Sequence, residues 1–404
     1  MQQRIMFVGM DVHQKSIDIT TAEQGHDGKV AHFGCIGGDL QSLDTAVDKL
    51  MESGAELRLV YEAGPCGYVI YRHLRERGLH CTVVSPASVP KRPADRVKTD
   101  RRDARTLAVQ HRAGALRALY VPEPEDEAIR DLVRGREDAV HNRRRARQRL
   151  NSFMLRHGRR YSGKKKWSLA HRRWVAAQSF AHAAQRVTLE EYVGAIEEAE
   201  QRVERLSGQI QALVVPWRLK PYVDALQALR GVSWVVAVTV VAEVGDLGRF
   251  QPRRLMAFLG LVPSEYSSGE RRRQGAITKT GNAHVRRVLG EAAWAYVHQP
   301  AISACVLKRQ EELPKEIRDI AWKAQLRLCT RFNHLSAQRK QRNKIVTAIA
   351  RELVGFMWAI ARCVAQGSNQ TKEAQRRTTT PPDTIVLRRR PRPQSRNRAC
   401  KVAA

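Results

Sequence analysis

Residues 4–22 read RIMFVGMDVHQKSIDITTA, and this stretch decides the fold of the first part of the chain. RIMFVGM (4–10) is an apolar run rich in strand formers, DVHQK is a polar turn, and SIDITTA (16–22) alternates apolar and polar residues as a partner strand would. Working outward, Lys29 to Phe33 offers a third strand, and Leu43, Val47 and Leu50 fall at helical spacing within Leu40–Met51. LRLVY (57–61) reads as a buried strand, Tyr68 to Arg77 as a helix, His80 to Val84 as a strand and Asp100 to Ala113 as a helix. The fold class is therefore α/β plus α, with a mixed-sheet domain first. No G-x-G-x-x-G or P-loop pattern is present to support nucleotide binding.

Charge divides the chain differently. The 404 residues carry 71 Lys and Arg against 40 Asp and Glu, a net charge of +31, which argues for a polyanionic partner, nucleic acid first. Residues 1–120 hold only +3 of it; +13 lies between Arg134 and Arg173 and +8 from Gly367 onward. With 43% hydrophobic residues the chain can bury real cores. Its longest apolar run, Val235 to Ala242, is far below the roughly 20 residues a membrane span needs, so no membrane partner is expected. The first residues lack a signal-peptide pattern, and seven cysteines without a C-x-x-C pair suit reduced thiols in a cytoplasm.

Between the nearly neutral first domain and the tail the sequence is helical. The reading gives a sheet domain over 1–125, basic helices and a coiled-coil linker over 126–218, a mostly helical domain over 219–365 and a disordered basic tail over 366–404. Within the linker, Val193, Ile196, Val203, Leu206, Ile210 and Leu213 form an apolar stripe, a core face or an intermolecular coiled-coil seam. Leu226 to Ala242 runs helix, Gly231, helix, and Ala321 to Val364 is helical again. Arg143, Arg144, Arg145, Lys164, Lys165 and Lys166 are candidate nucleic-acid contacts.

In so basic a chain the acids at strand ends stand out. Asp11 follows the first strand, Glu62 follows LRLVY, and Asp100 and Asp103 lie three apart on one helix face. Crowded carboxylates repel unless a cation separates them, and hard oxygen ligands suit Mg²⁺ or Mn²⁺, ions able to promote phosphodiester chemistry. Asp18, Asp39 and Asp95 are left as surface groups, and His13, His32 and His284 as surface or core histidines.

The second informative segment is LGLVPSEYSSGERRRQGAITKTGNAHVRRVLGEAAWA (259–295). A Ser-Ser-Gly turn precedes Arg271, Arg272 and Arg273, and Lys279, Arg286 and Arg287 follow. A serine exposed there could attack a phosphate whose added charge the arginines neutralise. The motif alone equally fits a plain turn serine.

GMDVHQKSI (9–17), VYEAGPCGY (60–68), KTDRRDARTLA (98–108), the L-G-L-V-P…S-S-G…I-T-K-x-G-N…R-R-x-L run and AIARELVGFMWA (348–359) together resemble the DEDD transposases of bacterial insertion sequences, the insertion sequence 110 family, related to the Piv invertase. The resemblance spans residues 1 to about 365 and excludes the basic tail. It implies a RuvC-like, ribonuclease-H-type first domain with metal-binding Asp11, Glu62, Asp100 and Asp103, a coiled-coil linker, and a nucleophilic serine mapping onto Ser268, with Ser267 as the alternative. It further implies donor and target DNA as substrates, a structured bridge RNA as guide, a homo-oligomer (dimer or tetramer) with sites composed from different subunits, and a bacterial cytoplasm, at the nucleoid, as the location.

The function expected is DNA strand cleavage and rejoining. The alternatives are a RuvC-like metal-dependent nuclease, in which Ser268 only shapes a turn, and a non-enzymatic nucleic-acid-binding protein.

Overall fold

Strand β1 (Ile5–Val12) is central because its side chains alternate between two apolar environments. Met6, Val8 and Met10 enter one core and Phe7 another, with Gly9 on Phe7's side. The computed structural model of the chain describes residues 4–90 and 99–379, excepting the side chains of Ser88 and of 368–379. The chain divides into two compact units, one ending at Glu123 and the other beginning at Pro124.

In the first unit β1 is followed by β2 (Ser16–Glu23), β3 (Val30–Gly37), α1 (Leu40–Met51), β4 (Glu56–Glu62), α2 (Val69–Glu76), β5 (His80–Val84) and α3 (Asp100–Arg112). The sheet order is β3-β2-β1-β4-β5, with β1, β2 and β3 antiparallel and β1, β4 and β5 parallel. Leu43, Val47 and Leu50 of α1 and Ile70 and Leu74 of α2 cover one face, joining Met6, Val8, Met10, Leu57, Leu59 and Tyr61. Asp39 caps α1, its carboxylate accepting the Ser42 N–H.

Helix α3 covers the other face and runs opposite to β1. His111 near its end meets Phe7 edge-on at 5.4 Å, while Asp100 at its start lies near the far end of β1. The approach is very close: a Cβ on Gly9 would stand 2.2 Å from the carbonyl oxygen of Ala104 and 2.4 Å from the backbone nitrogen of Ala108. Only glycine at position 9, facing alanines, lets the helix backbone rest on the strand.

The second unit opens with α4 (Pro124–Arg156), α5 (Leu169–Ala176) and α6 (Ala183–Val214). α4 and α6 pack along each other as a helical hairpin with arms about 50 Å long at 1.5 Å per residue. Of the apolar stripe, Ile196, Val203 and Ile210 are buried, together with Leu189 and Val214, whereas Leu213 is half exposed. Their partner is α4 of the same chain. Arg136 donates to Ser207 at 2.7 Å, and Arg147 and Arg172 both hold Glu200 across the stalk.

Beyond the stalk come α7 (Lys220–Leu226), α8 (Trp234–Val244), α9 (Pro252–Phe258), β6 (Pro263–Glu265), β7 (Gln274–Ile277), α10 (Ala283–Ala293), α11 (Ala304–Gln310), α12 (Lys315–Ala337) and α13 (Arg342–Thr379). Buried from Val236 to Val244, α8 is apolar all round, as a helix enclosed by others must be. Its one carboxylate, Glu243, is answered by both nitrogens of an Arg134 fork at 2.7 and 2.8 Å and by Asn282 at 2.6 Å. The single helical stretch expected over 321–364 is two helices. Arg339, at φ 53°, donates its N–H to the Ser336 carbonyl and closes α12. α13 runs to Thr379, so residues 366–379, expected as disordered tail, have helical backbone: a helix already nucleated extends through Glu, Gln, Lys and Arg at little cost. The rest of the expected tail lies outside the described residues. Among the described residues no helix is long and apolar enough to cross a membrane.

A second polar knot ties α4 to α10. Glu137 accepts from Arg287 Nε at 2.9 Å and pairs with His284 Nδ1 at 3.0 Å. Burial pushes its carboxyl up, but the hydrogen bonds and charges of Arg287 and His284 outweigh this and hold it below the ordinary value of 4.5. A depressed folded-state pKa stabilises above the unfolded value and the benefit is lost as pH falls through the folded one. Glu137→Gln should therefore destabilise the protein by about 2 kcal/mol at neutral pH, and the gap should close in acid. Melting temperatures of both proteins from about pH 7 down to about pH 3 check this; a gap independent of pH refutes it.

Candidate active site

Asp11 lies near the end of β1, and its register partner on β2 is Asp18. Met10 and Tyr61 are paired across β1 and β4 and share a core, so the next residues, Asp11 and Glu62, belong to the opposite face, the one α3 covers. Thr99 caps α3 by accepting the Arg102 N–H, which places Asp100 and Asp103 in the first helical turn. The close fit of α3 on Gly9 thus delivers two acids from the helix to Asp11 at the strand end.

His13 Nε2 lies 3.3 Å from Asp11 Oδ2 and 3.5 Å from Asp100 Oδ1. Ligand-capable atoms of these three residues all lie within 4.8 Å of one another. Asp103 is close enough to act on Asp11 electrostatically, and Glu62 stands on the same face and edge but outside that tight group. Burial raises the Asp11 carboxyl above its ordinary value; His13 opposes this, while Asp103 and Asp100 add to it. A partly buried acid with two acid neighbours suits a divalent cation, which would replace their repulsion with shared attraction.

Two sequence readings are corrected here. His13 is not merely a surface or core residue, since it bridges two of the acids; a histidine two positions after Asp11, just past the strand, was the available signal. Asp18 is not a surface group: it is 9% exposed and pairs with His32 Nε2 at 2.9 Å, a pairing that fixes a carboxylate opposite Asp11 on the neighbouring strand. Asp95 lies outside the described residues.

In the second unit, β6 and β7 form a hairpin, with Pro263 opposite Ile277 and Glu265 opposite Gln274. Its end is a four-residue turn in which Ser268 and Arg271 exchange backbone hydrogen bonds at 3.2 Å, with Gly269 at φ 57° supplying the left-handed residue. Ser267 donates its hydroxyl to Glu265 at 2.9 Å. That bond, with Gln274 and Arg272 behind it, keeps the Glu265 carboxyl below the usual range. Ser268 is exposed, and among the described residues its hydroxyl has no hydrogen-bond partner.

The expected nucleic-acid contacts separate into two groups. Arg144, Arg145, Lys164, Lys165, Lys166, Arg271, Arg273 and Lys279 are exposed, Arg272 is exposed but bonded to Glu265, and Arg143 is half buried. Arg286 is half buried: it donates to the carbonyls of Leu259, Thr280 and Gly281 and ties the hairpin's base together. Arg287 binds Glu137 and Glu291. Both therefore hold protein groups as well as standing among the candidate phosphate contacts. The lysine triplet sits in the loop before α5, not on a helix.

The sequence also matches known proteins. Residues 223–306 match the profile described as "Transposase IS116/IS110/IS902 family", and residues 8–158 match a DEDD transposase profile of the insertion sequence 110 type. The chain is 45% identical over 360 residues to the putative transposase y4qE of Sinorhizobium fredii, covering 89% of each. It is 28% identical over 343 residues to the transposase for insertion sequence element IS1533 of Leptospira borgpetersenii, covering 84% of this chain and 99% of that one. Asp11, Glu62, Asp100 and Asp103 fall within the first profile match along the chain and the serine hairpin within the second, and on these matches and the 45% identity over 89% of its length the chain belongs to the IS110 family of transposases, enzymes acting on DNA.

Proposed function

We propose that this transposase cuts and rejoins the DNA of an insertion sequence by phosphoryl transfer, with Asp11, Glu62, Asp100 and Asp103 holding Mg²⁺ or Mn²⁺ and Ser268 as the attacking group. The observation that carries the reading is the convergence of Asp11, His13 and Asp100 within 4.8 Å. A bound divalent ion would supply charge for the non-bridging phosphate oxygens and for the leaving oxygen. The chain's own groups do the rest. Ser268 offers an unengaged hydroxyl on a tight turn, and Arg271 and Arg273, exposed beside it, can neutralise the phosphate as charge builds. Attack by Ser268 Oγ forms a phosphoserine ester and releases a DNA hydroxyl; the reverse attack by another DNA end rejoins the strands. Because bond energy is retained in the ester, no nucleotide cofactor is required.

Ser267 suits this role less, since its hydroxyl is held by Glu265. The exposed cations of the stalk and of the loop before α5, Arg144, Arg145, Lys164, Lys165 and Lys166, would hold nucleic-acid backbone, including a structured bridge RNA that guides a homo-oligomer to its donor and target.

The test is a denaturing gel of protein incubated with nicked donor DNA and Mg²⁺. A covalent protein–DNA adduct is expected from the wild type and from Ser267→Ala, and none from Ser268→Ala. Adduct loss in Ser267→Ala alone reverses the choice of serine. Metal-dependent cutting by Ser268→Ala at the wild-type rate, with no adduct from either protein, means hydrolysis by water and a nuclease.

A further inference from the structure

The segment between α4 and α6 carries the lysine triplet but takes no part in the phosphoryl transfer above, and it encloses side chains of its own. Residues 157–182 close over the far end of the helical hairpin, where Leu150, Phe153, Met154, Val175, Phe180, Leu189 and Ile196 form a separate core. On it, three aromatic rings surround one imidazole: Tyr161, Trp167 and Trp174 have centroids 4.8, 4.9 and 5.7 Å from that of His171. His171 is 2% exposed, and its Nδ1 has no hydrogen-bond partner. A buried polar nitrogen in that state is unusual in a folded protein and calls for an unplaced water or ligand.

Two cavities share His171 as a wall. The first, about 310 Å³, is lined mainly by apolar groups, Leu150, Val175 and Ile196 among them, and its charges are mixed: Glu197 stands with Arg172 and Arg173, and Arg172 is already held by Glu200. The second, about 360 Å³, combines Tyr161 and Trp174 with Asn151 and Ser152 of α4, and Arg159, Arg160 and Lys166 contribute positive charge. Arg159 donates to the Ser179 carbonyl and lies over Phe180, which leaves Arg160 and Lys166 as the charges for a ligand. Burial, then the charges of Lys166 and Arg172, holds the His171 pKa below its ordinary value, so the ring is neutral, with one donor and one acceptor nitrogen.

We propose that this second cavity is a subsite for one unpaired nucleotide, its base lying against Trp174 and Tyr161, its edge read by His171, Asn151 and Ser152, and its phosphate held by Arg160 and Lys166. The volume is that of a small-molecule site, and flat rings, amide and hydroxyl groups and rim cations together match a nucleotide better than any one of its parts. A duplex cannot enter, because its bases are stacked; the ligand is a strand with a free or splayed base. The inference rests on the reading that the chain holds nucleic acid.

The test uses the full chain with unstructured RNA and DNA 12-mers of one sequence, intact or with single abasic positions. An abasic position at the subsite should weaken wild-type binding about tenfold, as loss of one stacked base does. Trp174→Leu should lose a similar factor on the intact strand and no longer sense the abasic position. Ser152→Glu, at an exposed position on α4, should weaken binding without endangering the fold. In the wild type a 4-thio-substituted base should cross-link within residues 151–174. Base dependence in the RNA arm, the DNA arm or both supports the subsite and names its source. Abasic strands bound as tightly as intact ones, or cross-links only outside 151–174, overturn it. If the wild type binds neither strand, the nucleic-acid reading itself falls, and the subsite with it.

Discussion

Asp11→Asn is expected to reduce DNA strand exchange by about 10³-fold or more, the scale of losing roughly 4 kcal/mol of transition-state stabilisation, while nucleic-acid binding persists. Asp11 is more enclosed than Asp100, its side chain 17% exposed against 59%, and it is the acid that His13, Asp100 and Asp103 all act upon. Removing its charge takes away the group around which a cation would be held, but not the cations on the protein that hold backbone. Stability should move the opposite way. Because burial and neighbouring acids raise the Asp11 pKa, the folded chain binds that proton more tightly than the unfolded chain, and ionising it at neutral pH works against folding. Without metal, Asp11→Asn should melt at or above the wild-type temperature, and Mg²⁺ or Mn²⁺ should raise the wild-type melting temperature more than the variant's. A variant that melts well below wild type would show that lost activity reflects lost structure.

Gly9→Ala should be the most damaging single-methyl change in the first unit. The added carbon would stand 2.2 Å from the Ala104 carbonyl oxygen and 2.4 Å from the Ala108 nitrogen, and both are backbone atoms that cannot swing aside as a side chain does. Helix α3 would have to lift by an ångström or so, opening the packing of Leu107 and Ala108 on the sheet. We expect a loss of about 3 kcal/mol or more and a fall of about 10 °C or more in the melting temperature of this unit. Strand exchange should be lost as well, because α3 carries Asp100 and Asp103. Gly64→Ala is the control: the nearest atom to its added carbon is 3.9 Å away, and its effect should stay within about 0.5 kcal/mol. Equal melting of the two variants would disprove the close-approach argument.

The strands and helices of the first unit were legible because each buries one face and its apolar residues repeat at the matching period. Asp11 and Asp100 could be singled out for a related reason: an acid just past an apolar strand, or opening a helix, has few structural duties. The role of Asp18 was not legible, since it depends on the register of β2 against β1, and a slip of one residue would turn it to the other face. Nor could the sequence separate Arg286 and Arg287 from the exposed Arg271 and Arg273. Their partners include Leu259 and Glu137, and Glu137 lies 150 residues from Arg287 along the chain, so the cost of each arginine's charge is settled by packing that no local pattern records. The aromatic shell of His171 escaped for a different reason: Tyr161, Trp167 and Trp174 have no regular spacing, and a loop brings them together, with Trp167 itself at φ 62°.

The helical hairpin acts as a ruler with a phase. One end is rooted in the helical core through Ile129, Val133, Ile210 and Val214, and the other carries its own core around Leu150 and Phe153. Along a helix, each residue inserted advances the far end by about 1.5 Å and turns it by about 100°. Reach and facing are therefore coupled: the tip can be moved outward without being swung round only in steps of about seven residues, added to both arms together.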